Sequence, residues 1–108
     1  MKPWEIWSYH FPGAGVHPAV VLGTDDRLKN KPVVSILICS TQRATRDAKL
    51  HEVLLDKTDG LDWETLCKCD IVYAAFKKDL TQHRGTVRVE RRRAIAQRII
   101  EQLGLAGL

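Results

Sequence analysis

A chain of 108 residues is long enough for one domain with one core, and short enough that a second copy would add usefully to its buried surface. Hydrophobic residues make up 44% and charged residues 28%, the proportions of an ordinary globular protein rather than a disordered or fibrous one. No apolar run approaches the ~18–20 residues that span a bilayer as a helix. The formal charge of +4 is unevenly placed. Residues 1–76 carry nine Lys/Arg against ten Asp/Glu, and residues 77–108 carry eight against three. A basic C-terminal third suits a polyanion or an acidic protein partner, and it suits a solvated helix face equally well.

The elements follow in chain order. Met1-Lys2-Pro3-Trp4-Glu5 leads directly into a strand pattern with no charged-then-apolar leader, so the expected location is cytoplasmic. Between Glu5 and Phe11, Trp7, Tyr9 and Phe11 repeat at period two, the mark of a strand with one apolar face. Pro12-Gly13-Ala14-Gly15 breaks it. Pro18 to Leu22 reads as a second strand, apolar on both faces, and Thr24 to Pro32 as a polar turn. Val33 to Cys39 is the third strand and the most buried in character. Ser40 to Lys49 is a polar loop bearing Arg43 and Arg46, and His51 to Leu55 is a fourth strand. Asp59-Gly60 signals a turn, and Cys69 to Phe76 is a fifth strand. From Val89 to Leu103 the pattern changes: Ile95, Ile99 and Leu103 recur every four residues, as on one stripe of an amphipathic helix, and Gly104 supplies a stop. Five short strands and a closing helix predict a mainly β protein, a small barrel with a C-terminal α-helix, as a single domain over 1–108.

Composition alone goes no further than that, but four stretches do. Glu5-Ile6-Trp7 with Phe11-Pro12, His17-Pro18-Ala19-Val20-Val21-Leu22, Val34 to Gln42, and His51-Glu52-Val53 with Gly60-Leu61-Asp62 occur in an order and spacing that resemble the MazF/PemK-like toxins. The resemblance covers nearly the whole chain. It implies an SH3-like barrel, usually a homodimer, acting as the toxin of a type II toxin–antitoxin system. It further implies cleavage of single-stranded RNA without a metal or other cofactor, inhibition by a cognate antitoxin, and binding of operator DNA together with that antitoxin.

Metal-free RNA cleavage needs a base for the 2′-OH proton, an acid for the leaving 5′-oxygen, and donors or cations for the phosphoryl oxygens. In the resembled family an Arg before the second-strand Pro and a Thr ending the third strand are central. Here the first position is His17, and the second is Ser40 or Thr41. Histidine titrates near ~6.5 and can act as acid or base, but it lacks the bidentate fork of arginine. The family's Arg-Thr-x-Asp near the end of the fifth strand is replaced by Tyr73-Ala74-Ala75-Phe76, followed by Lys77 and Lys78. The expected catalytic set is therefore His17, Ser40, Thr41 and Arg43. Arg46, His51, Tyr73, Lys77 and Lys78 are expected to contact RNA.

Each of these has an unspecialised alternative. Ser40 and Thr41 are common strand-ending residues, Arg43 and Arg46 are ordinary loop cations, and His51 is an acceptable strand residue. The departures also fit a barrel that binds an antitoxin, nucleic acid or another protein without cutting, and the basic tail alone would suit a DNA-binding regulator. Cys67-Lys68-Cys69 is at most half a zinc site, so no metal is expected. Three cysteines, an odd number, fit buried reduced thiols.

Overall fold

A computed structural model describes residues 1–40 and 46–108. The elements are β1 (Glu5–Phe11), β2 (Gly15–Leu22), α1 (Asp25–Asn30), β3 (Val33–Ser40), β4 (Glu52–Leu55), β5 (Thr65–Lys68), β6 (Tyr73–Phe76), β7 (Thr81–Thr86) and α2 (Val89–Gln102), with 3-10 turns at Lys57–Asp59 and Lys77–Asp79. Seven antiparallel strands form one curled sheet in the order β4-β5-β3-β2-β1-β7, and β6 pairs with β3 beside β5. The architecture is the expected one, mainly β with a C-terminal helix.

The differences in detail have local causes. Thr24 to Pro32 is not merely a turn. The Thr24 hydroxyl accepts from the Arg27 N–H at 3.2 Å, Asp25 and Asp26 favour the first helical turn, and Leu28 is buried as the single apolar anchor of α1. One apolar residue is too little periodicity to announce a helix. The expected fifth strand, Cys69 to Phe76, is shorter: only Tyr73–Phe76 pairs, as β6 along Val33–Ile36 of β3, and an unexpected strand, β5, precedes it and meets Cys39 and Ser40. β7, Thr-Gln-His-Arg-Gly-Thr, has no apolar alternation and is mostly exposed. It is a strand because it completes the edge of β1.

Alternation along the strands makes two cores. Ile6, Val20, Leu37, Val53 and the three cysteines face α2, whose Ile95 is wholly buried against them. Phe11, Ala19, Val21, Val34 and Ile36 face the other way, covered by Leu28 and Leu80. Burying α2 needs its N-terminus fixed, and Asp59 does this from a distance. Its Oδ1 accepts the Arg88 N–H at 2.9 Å, and its Oδ2 accepts both the Asp56 N–H at 3.0 Å and the Arg91 guanidinium. Arg91 also donates to Asp56 Oδ1 at 2.9 Å. That bond, followed by the bonds from Thr58, holds the Asp56 carboxyl well below the usual carboxylate range. The arginine cluster opening α2 is thus partly an internal fastening rather than a free basic patch. The turn carrying Asp59 lies so close to β7 that a Cβ on Gly85 would fall 2.0 Å from the Asp59 carbonyl oxygen, so only glycine fits there.

Candidate functional site

The candidate site grows from the end of the face that bears Phe11. In β1 and β2, Tyr9 pairs with His17, and Trp7 with Ala19. β2 then pairs with β3 as far as Ala19 and Ile38. Continuing that register two residues carries His17 toward Ser40, the last residue of β3, on the same face of the sheet. Tyr73 comes onto this face from β6, where it pairs with Ile36. Phe11 joins the rings: its centroid lies 4.8 Å from Tyr9, 5.2 Å from Tyr73 and 6.3 Å from His17, each roughly edge to face.

The imidazole of His17 is held from both sides. Phe11 lies beside it, and its Nε2 is 3.0 Å from the Ala14 carbonyl oxygen. A carbonyl only accepts, so Nε2 carries the proton and Nδ1 keeps its lone pair in the neutral ring. The Pro12–Gly15 turn that supplies this carbonyl has left-handed glycines at 13 and 15. Those glycines let the hairpin fold back over a side chain two residues further on.

Ser40 ends its strand where the Thr65 hydroxyl donates to its carbonyl oxygen at 3.2 Å. Thr41 and Arg43 lie outside the described residues. Arg46 returns to the same side of the sheet, because its acceptor Glu52 pairs with Lys68 two residues before the Leu54–Leu66–Ser40 row, and residues two apart in a strand share a face. Its two guanidinium nitrogens donate to the two Glu52 oxygens at 2.7 and 2.8 Å, and the Lys49 N–H adds a third bond at 2.9 Å. The Arg46 bonds, outweighing the cost of burial, hold the Glu52 carboxyl at about 2. Arg46 is therefore partnered within the fold rather than freely presented. His51 flanks the same carboxylate, with Nε2 3.9 Å from Glu52 Oε2.

The two lysines stand elsewhere. Lys77 Nζ donates to the Leu28 carbonyl at 2.7 Å, and Lys78 lies 5.6 Å over the Phe76 ring. Both follow Phe76, which pairs with Val33 at the opposite end of β3 from Ser40, roughly 20 Å away at the rise of a strand. The structure therefore does not bring the two lysines together with His17. The Lys77 ammonium satisfies the last carbonyls of α1, which lack partners within so short a helix.

Two participants carried no signal in the sequence. Glu52 sits in an otherwise apolar strand yet is 2% exposed, and only its partner across a loop explains that. His83 has no motif around it. The register places it opposite Trp7, where the rings stack at 5.2 Å and 15° with Glu5 Oε2 3.7 Å away. Among the described residues, no group of three or more His, Cys, Asp or Glu side chains is arranged to hold a metal ion. No helix among them is long and apolar enough to cross a membrane, which says nothing of strands.

A family profile described as PemK-like, MazF-like toxin of type II toxin–antitoxin system matches residues 2–103. The chain belongs to that family. Structures similar to this PemK/MazF-like toxin share its fold at low identity. A mycobacterial endoribonuclease in complex with its cognate antitoxin superposes with a TM-score of 0.84 at 18% identity, covering 100% of this chain and 99% of that one. The Mycobacterium tuberculosis toxin MazF-mt6 gives 0.80 at 20%, covering 94% and 97%. A chain of a MazE–MazF crystal structure from Deinococcus radiodurans gives 0.78 at 13%, covering 98% and 97%. No curated protein sequence matches the chain.

Proposed function

We propose that this PemK/MazF-like toxin is a metal-independent, sequence-selective endoribonuclease of single-stranded RNA. The observation that carries the reading is that Phe11 brings the rings of His17 and Tyr73 to one face of the sheet, with the imidazole held between Phe11 and the Ala14 carbonyl. In the proposed reaction His17 Nδ1 takes the proton of the 2′-OH. The 2′-oxygen attacks phosphorus, the P–O5′ bond breaks, and the products are a cyclic phosphate and a 5′-hydroxyl. His17 then returns its proton to the leaving oxygen, directly or through water. Ser40 or Thr41 bonds the phosphate or the 2′-OH, and Arg43 balances charge on the phosphoryl oxygens. Tyr73, half-buried at one edge of the ring cluster, offers a face on which a base stacks.

The partners follow from the same reading. They are single-stranded RNA, a cognate antitoxin, a second copy of the chain, and operator DNA in company with the antitoxin. The rival is a barrel that binds without cutting. Its support is specific: two of the cations expected at the site are already partnered, Arg46 by Glu52 and Lys77 by α1.

Incubating the purified chain with a mixed RNA pool in the presence of a chelator, and mapping the new ends, separates the two readings. The nuclease reading requires 5′-hydroxyl ends at recurring sequences, and a loss of roughly 100-fold or more in His17→Ala. Intact RNA, or a His17→Ala protein that cuts like the native one, refutes it.

A further inference from the structure

β7 has no apolar pattern of its own, yet it sets a ring against the sheet. Regular antiparallel pairing onward from Ile6–Gly85 would place Arg84 opposite Trp7 and His83 opposite Ser8. Instead Trp7 faces His83 and Ser8 faces Thr81, so Arg84 and Gln82 are each passed over. Irregularities of this kind re-aim a side chain. Gln82 also has a left-handed backbone, with φ 50°, a conformation that is strained in a residue other than glycine. Two register shifts and a strained residue thus bracket His83, and their result is an imidazole on Trp7 in place of a guanidinium.

Both rings are fixed. Trp7 Nε1 donates to Glu5 Oε1 at 3.1 Å, and the Lys2 N–H donates to the same oxygen at 2.9 Å. His83 Nε2 donates to the Gly85 carbonyl at 2.9 Å, and the rings stack at 5.2 Å and 15°. Trp7 is half-buried against the Phe11 core, whereas the His83 side chain is 43% exposed. The indole covers one side of the imidazole, and solvent reaches the rest. An exposed ring adds little burial to the fold, so the strain that aims it points to a ligand.

The place of the pair says which ligand. Trp7 and Tyr9 share a face of β1, and Tyr9 is the register partner of His17. The His83–Trp7 pair is therefore one row from His17, roughly 7 Å along the strand. In the sheet, β2 stands between β1–β7 on one side and β3–β6 on the other, so His83 and Tyr73 flank His17 from opposite sides. Glu5 Oε2 lies 3.7 Å from His83 Nε2. Its charge disfavours a phosphate there, and the flat, neutral surface of a base fits instead. We infer that His83, backed by Trp7, is a stacking platform for the base of a nucleotide next to the cleaved link. The inference rests on the proposal that the chain takes single-stranded RNA, and it adds a substrate-binding residue on the side of His17 away from Tyr73. Because the ring is already held, a base stacks on it without freezing a mobile side chain.

The probe is a mixed-sequence pool of 2′-O-methyl RNA hexamers, whose blocked 2′-oxygen cannot attack phosphorus. Added to the whole chain, the pool should move the His83 ring-proton resonances upfield, the sign of a base lying over the imidazole. His83→Ala should weaken binding about 10-fold, and His83→Phe, which keeps a flat ring, should stay within about 3-fold of the native chain. Circular dichroism checks that both variants fold, and the resonance shift of the native chain decides by itself if they do not. The inference is overturned by ring resonances that stay in place while the pool binds, or by a folded His83→Ala chain with native affinity. A His83→Phe chain as weak as the alanine variant overturns it too, as does a pool that does not bind. Cleavage of ordinary RNA is scored separately. A shifted His83 ring on a chain that leaves ordinary RNA intact supports the platform and refutes the nuclease, whereas native cutting and native affinity in His83→Ala do the reverse.

Discussion

Replacing Arg46 with alanine tests whether the bond between the loop and the sheet works as the geometry implies. Glu52 has a side chain with no exposure, and Arg46 provides two of its three hydrogen bonds. Without Arg46 the carboxylate stays in the sheet with only the Lys49 N–H. Holding the carboxyl at about 2 rather than 4.5 corresponds to about 3 kcal/mol in favour of the ionised folded form. Breaking a fully buried pair costs ~3–5 kcal/mol, but the Arg46 side chain is 42% exposed, and solvent screening reduces the figure. The expected loss is therefore about 2 kcal/mol near pH 7, a fall of roughly 10 °C in Tm for a domain of this size.

The sign of the pH dependence follows. In the native chain the Glu52 contribution is complete above 4.5 and disappears as pH falls toward about 2. In Arg46→Ala the unpaired carboxyl titrates above its unfolded value, so acid relieves its penalty. The gap between the two proteins should narrow as pH is lowered from about 7 to about 3. Urea unfolding across that range, with Glu52→Gln and the double variant completing a cycle, measures it. A loss under about 0.5 kcal/mol, or a gap that widens in acid, refutes the reasoning.

Other outcomes are equally specific. Gly85→Ala puts a methyl into the Asp59 carbonyl and should destabilise by about 3 kcal/mol or more, read from denaturant midpoints. Asp59→Ala removes the acceptor of the Arg88 N–H and a partner of Arg91. It should cost about 2–3 kcal/mol and loosen α2 first, visible as faster amide exchange along that helix. Leu28→Ala deletes the only buried side chain of α1 and should cost about 3 kcal/mol in urea unfolding, while Lys29→Ala, on the exposed side of the same helix, should change little.

The sequence by itself determined whatever is encoded over a few neighbouring residues. β1, β3 and α2 were legible because Trp7-Tyr9-Phe11 repeat at period two and Ile95-Ile99-Leu103 recur every four residues, and because such patterns commit one face to a core. The order of short motifs from Glu5-Ile6-Trp7 to Gly60-Leu61-Asp62 was enough to indicate the family. The pairings that bring distant residues together were decided only by the tertiary structure. β7 has no pattern of its own and is a strand because β1 offers an open edge. Asp59 caps a helix 29 residues on, and Glu52 is tolerable in a sheet because Arg46 folds back onto it. The same long-range closure placed His17, Phe11 and Tyr73 together and sent Lys77 to the far end of β3. Periodicity records which face a residue turns inward, but the curl and register of the sheet select its neighbour there, and those depend on contacts between residues far apart in the chain.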